Sequence, residues 1–163
     1  MVDDIAPPGP SITLGALAMA MAATAMTEFA SAKEGSAVIM ATSADDNHPV
    51  EHILDGLEET FWATTGLYPQ VFILAFPRAV SLSTIRTLTR NVRKLLVERT
   101  EESMPMKFEK VFEVELSDRS NRLQAEVQQV NNTKAHFLRI TIKSGWDDFC
   151  TVHRLSCEGW PSS

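Results

Sequence analysis

LQAEVQQVNNTKAHFLRITIK, residues 123–143, is the stretch on which the fold turns. Leu123, Ala125 and Val127 alternate with Gln124, Glu126 and Gln128, the period of two expected when one face of a strand lies in a core and the other in water. Asn131-Asn132-Thr133-Lys134 then groups turn-forming residues, and the spacing predicts that the chain turns there into a second strand, HFLRITIK. The same pattern extends in both directions. Upstream, Phe112, Val114 and Leu116 face Glu113 and Glu115, Leu95 to Thr100 is short and mixed, and Ala79 to Arg90 alternates loosely. VFILAF, residues 71–76, is a nearly continuous apolar strand that Pro77 is expected to close. MTEFASA and AVIMAT flank the turn Lys33-Glu34-Gly35-Ser36, and the last strand runs from Val152 to Trp160. Eight or nine short strands with no long amphipathic helix predict an all-β protein, an antiparallel β-sandwich or jelly roll.

A length of 163 residues fits one such domain, residues 26–163, after a leader, residues 1–25. The leader carries Asp3 and Asp4 where a signal peptide needs basic residues, and Pro7, Pro8, Gly9 and Pro10 predict a flexible segment. Its apolar run is too short to span a bilayer, so membrane insertion is not expected. The net charge of −6 argues against a nucleic-acid binder. Cys150 and Cys157 lack C-x-x-C metal or redox spacing and are expected as buried free thiols in a reducing compartment, with a disulfide between them as the alternative.

The candidate site is His48 to Gly66, HPVEHILDGLEETFWATTG. Asp55-Gly56 is a turn dipeptide, Thr60 adds a hydroxyl and a carbonyl, and Phe61-Trp62 supplies apolar bulk to fix the loop. Hard oxygens on a tight loop favour Ca²⁺ over Zn²⁺; a surface turn capped by Asp55 is the competing reading. His48-Pro49-Val50-Glu51-His52 matches H-x-x-E-H formally, but that zinc chemistry needs both imidazoles on one α-helix, and Pro49 pushes His48 out of the helical region. No Gly-rich phosphate loop or nucleophile elbow is present, so no catalytic residue is assigned. Arg86, Arg90, Arg93, Lys94 and Arg99 form a basic run, either a solvated face or a docking surface for an acidic protein. Trp146 and Phe149 either plug one end of the sandwich or grip a ligand. The second option leaves open an extracellular glycan- or lipid-binding module, marked by cleavage near Ala25 and glycosylation at Asn131.

EGSAVIMATSADDNHP, EHILDGLEETFWATTGLYPQVFILAF and HFLRITIKSGWDDFCTVHRLSCEGW, in this order, resemble the discoidin-like (galactose-binding-like) jelly rolls. More closely, they are similar to the ciliary intraflagellar transport protein 25 family. That resemblance implies a structural Ca²⁺ held by Asp55, Thr60 and Glu158, with carbonyls from His52 and Leu57. It also implies a heterodimer with a Rab-like small GTPase, intraflagellar transport protein 27. Other intraflagellar transport B subunits, in the cytoplasm, cilium, flagellum and basal body region, are further expected partners.

Overall fold

The computed structural model describes residues 26–162, so the expected leader lies outside the described residues. Among the described residues eight strands form: β1 (Thr27–Glu28), β2 (Ala37–Ala41), β3 (Trp62–Ala63), β4 (Gln70–Arg90), β5 (Val92–Thr100), β6 (Glu109–Glu115), β7 (Leu123–Gly145) and β8 (Thr151–Pro161). Every pairing between them is antiparallel. The sandwich arises because β4 and β7 are long enough to serve two layers. Residues 70–75 of β4 pair with residues 137–142 of β7, with β2 on the other side; β5 and β6 continue that layer. Residues 80–90 of β4 pair with residues 123–135 of β7, with β8 on the other side and β1 and β3 beyond it. Phe72, Leu74, Phe76, Leu138, Ile140 and Leu95 of the first layer share one buried core with Val80, Leu82, Ile85, Val152, Leu155 and Cys157 of the second.

Two expectations are corrected by the corner between the layers. Pro77 does not close a strand, and Asn131-Asn132 does not reverse the chain; both sit inside continuous strands as bulges. Between the pairs Ala75–Phe137 and Val80–Ala135, Phe76 to Ala79 of β4 face His136 alone. Pro77 has no ladder partner there, so its missing N–H costs no hydrogen bond. Between Leu82–Thr133 and Thr84–Gln129 the excess is on β7, where Val130, Asn131 and Asn132 face Ser83. Asn131 and Asn132 take positive φ, 49° and 60°, a conformation that Asn tolerates better than most residues. Paired bulges bend both strands at one place and carry them from layer to layer.

MTEFASA gives only the two residues of β1 before a 3-10 turn, Ala32–Glu34, which is capped by the Ser31 hydroxyl and by Gly35 at φ 90°. Cys150 and Cys157 are buried free thiols, and burial pushes both thiol pKa values up. Among the described residues no helix is long and apolar enough to cross a membrane.

Candidate metal centre

Pro49 is extended (φ −66°, ψ 157°) and opens a second 3-10 helix, Val50–Leu54, whose Ile53 and Leu54 are buried. Asp55 ends it, its amide donating to the His52 carbonyl at 3.4 Å. Gly56 then takes φ 76°, which lets the chain fold back over the carboxylate. Asp55 Oδ1 accepts from the Leu57 amide at 2.9 Å and Oδ2 from the Thr60 hydroxyl at 2.5 Å. The loop therefore gathers the Asp55 and Thr60 oxygens by local bonds alone.

Aromatic residues on its C-terminal side anchor the loop. Trp62 is fully buried, donates its indole N–H to the Ser43 carbonyl at 3.1 Å, and meets Phe72 edge-on at 5.5 Å. Phe61 lies between His48, stacked at 4.1 Å, and His153, tilted at 5.0 Å. His153 of β8 bonds through Nδ1 to the Glu58 carbonyl at 2.8 Å and through Nε2 to Thr151 Oγ1 at 2.9 Å. Burial, with nearby Arg90 adding to it, lowers the His153 pKa and favours the neutral ring, whose Nδ1–H donates to the loop.

Of the five expected ligands, the structure brings four into this turn. Asp55 and Thr60 touch, Leu57 donates to Asp55, and the His52 carbonyl accepts the Asp55 amide. Glu158 stands apart from them. It lies on β8 opposite Thr84 of β4 and Glu28 of β1, and its carboxylate is ion-paired with Arg86. Asp55 lines a recess of about 200 Å³ together with Lys33, Glu28 and Arg154. Glu158 lines a neighbouring groove of about 470 Å³ with Arg86, and Glu28 and Arg154 border both. The loop brings one carboxylate and one hydroxyl together, and Glu158 lies outside it, paired with Arg86.

Glu28 is the residue that sequence reasoning missed. Its Oε1 accepts from the amides of Ala30 and Cys157, each at 2.8 Å, and Oε2 accepts from the Ser156 hydroxyl. It clamps β1 to β8 beside the recess, and its only signal was an acidic residue within a short apolar strand. The zinc pattern dissolves, because His48 precedes the helix and stacks on Phe61 while His52 Nδ1 lies 3.3 Å from the Phe61 carbonyl. Among the described residues no group of three or more His, Cys, Asp or Glu side chains is placed to hold a metal. The basic run is divided between layers: Arg86 and Arg90 lie on the second-layer part of β4, and Arg93, Lys94 and Arg99 on β5. Arg93 pairs with Glu115 at 3.0 Å, and Arg99 with Glu101 at 2.8 Å and Glu109 at 3.2 Å. Trp146 is 37% exposed, donating to the Leu116 carbonyl at 2.9 Å beneath Arg93, and Phe149 is 60% exposed, so neither belongs to the buried core.

No protein-family model matches the chain. Solved structures similar to it include the family 32 CBM of Clostridium perfringens NanJ in complex with galactose, with TM-score 0.69 and 18% identity, covering 82% of this chain and 99% of that one. The C-terminal domain of a chitobiase from Bacteroides fragilis is also similar, with TM-score 0.69 and 17% identity, covering 84% of this chain and all of that one. At such identities the likeness establishes the jelly-roll fold alone. Sequence relatives reach further. Intraflagellar transport protein 25 of Chlamydomonas reinhardtii is 46% identical over 134 residues, 82% of this chain and 70% of the relative. The Mus musculus homolog is 41% identical over 132 residues, 81% of this chain and 92% of the relative, and the Homo sapiens homolog is 40% identical over 126 residues, 77% and 88%. With identities of this order over most of each sequence, the chain belongs to the intraflagellar transport protein 25 family.

Proposed function

We propose that this chain is a non-catalytic adaptor of intraflagellar transport in cilia and flagella. It joins a Rab-like small GTPase, intraflagellar transport protein 27, as a heterodimer within the intraflagellar transport B complex. The observation that carries the reading is the 40–46% identity to proteins named intraflagellar transport protein 25. A rigid sandwich suits the role, since a stable pair buries roughly 1,600 Å² of preformed surface. Mixed at micromolar concentration with that GTPase, the chain is expected to elute from size exclusion as a single 1:1 species. Two separate peaks would overturn the heterodimer.

A structural Ca²⁺ is the second part of the proposal, supported by the 2.5 Å contact of Asp55 with Thr60. Asp55, Thr60 and Glu158, with carbonyls of His52 and Leu57, would hold it. The ion supplies a cross-link between an early loop and the last strand, which constrains about a hundred residues of chain. Saturating Ca²⁺, at about 100 times the dissociation constant, is expected to add about 2.7 kcal/mol and raise Tm by about 8 °C. Asp55→Asn should remove most of that rise. Melting curves that coincide in Ca²⁺ and in chelator would exclude the ion.

A further inference from the structure

We propose that the outer face of the second layer is a docking groove for a basic segment of another protein, one that carries apolar side chains between its Lys or Arg residues. The alternation of residues 123–128 predicts apolar side chains inside, and β7 places them the other way round. Gln124 is the buried member, 3% exposed; its amide group accepts from the Val92 N–H at 3.0 Å and donates to the Val92 carbonyl at 2.7 Å. Ala125 and Val127 stand in water, Val127 at 50% exposure. Register carries that face across three strands. Ala125 lies opposite Leu88 and Leu88 opposite Arg154; Val127 lies opposite Arg86 and Arg86 opposite Ser156. All six line one groove of about 470 Å³. Among the described residues no strand pairs with residues 123–135 of β7 on the side away from β4, so the groove is open along that edge. Apolar side chains turned to water beside a glutamine turned inward suit a face that another molecule covers.

Charge selects the occupant. Glu28, Glu58, Glu126 and Glu158 line the groove against Arg86 and Arg154, on a chain of net charge −6. Glu158 is neutralised by Arg86, and among the described residues Glu28, Glu58, Glu126 and Arg154 make no ion pair. Three carboxylates therefore stand around one free guanidinium. That excess draws a cationic partner and repels nucleic acid and anionic lipid. Leu88, Ala125 and Val127 give the partner's apolar side chains a floor between the charges.

The test titrates the full chain with a synthetic hexapeptide of alternating Lys and Leu, and with its Glu-for-Lys and Ser-for-Leu counterparts, while amide resonances are followed. The Lys-Leu peptide is expected to move the resonances of Leu88, Ala125 and Val127, and the two counterparts to leave them in place. Val127→Lys, which removes an apolar contact and adds a like charge, should weaken binding about tenfold. Glu58→Lys should weaken it about fivefold, the reach of one exposed charge pair. Equal binding of the Lys-Leu and Glu-Leu peptides, no binding of either, or shifts confined to another face would overturn the proposal. Groove resonances that move with protein concentration alone would give the face to a second copy of the chain and overturn it as well. Should Val127→Lys fail to fold, Glu58→Lys and the three peptides on the parent decide.

Discussion

Trp62→Ala is expected to destabilise the fold by about 4 kcal/mol and to lower Tm by about 13 °C. The indole is fully buried and lies against Phe72. Truncation loses the transfer energy of the ring and leaves a void that the surrounding strands can close only in part. It also strands the Ser43 carbonyl, whose indole partner at 3.1 Å is removed inside the core. The damage is local to the candidate site, because Trp62 opens β3 directly after the Asp55–Thr60 turn and pairs with Val152 of β8. Any calcium-dependent rise in Tm should therefore shrink with it. Trp62→Phe, which keeps the ring volume in part, should recover roughly half of the loss. Chemical denaturation of the three proteins checks the order; a Trp62→Ala loss below about 1 kcal/mol would show that the loop is not anchored there.

Gly159→Ala is expected to cost about 3 kcal/mol, or about 10 °C in Tm, although it adds a single methyl group. A Cβ at Gly159 would lie 2.0 Å from the Ser81 carbonyl oxygen and 2.9 Å from the Leu82 Cα. Both obstacles are backbone, so relief requires β8 to move away from β4. That shift breaks register next to Glu158, and the Arg86 ion pair should fail with it. Thermal melting reads the stability, and the Arg86 Nε–Hε resonance reads the pair. A variant that melts within about 1 °C of the parent would mean that the two strands have slack at this position.

The alternation of apolar and polar side chains was enough to read the fold class, because period two is a property of each strand taken alone. Strand ends were not legible in the same way. Pro77 and Asn131-Asn132 carry turn chemistry, and whether such residues end a strand or bend it depends on what faces them across the ladder. Sequence spacing holds no record of that partner. The candidate site divides along the same line. Asp55, Leu57 and Thr60 lie within six residues, and the latter two donate to the Asp55 carboxylate, so their juxtaposition was visible in the turn dipeptide. The pairing of Glu158 with Arg86 and the clamp by Glu28 join positions far apart in the chain. They arise from the register of β8 against β4 and β1, which only the folded chain displays.

Because β4 and β7 each pass through the corner into the opposite layer, the two layers are joined by unbroken peptide backbone as well as by side-chain packing. Prying one layer loose drags the other with it, so the described residues behave mechanically as one block. A block of this kind keeps the angle between its opposite faces fixed when either face is loaded.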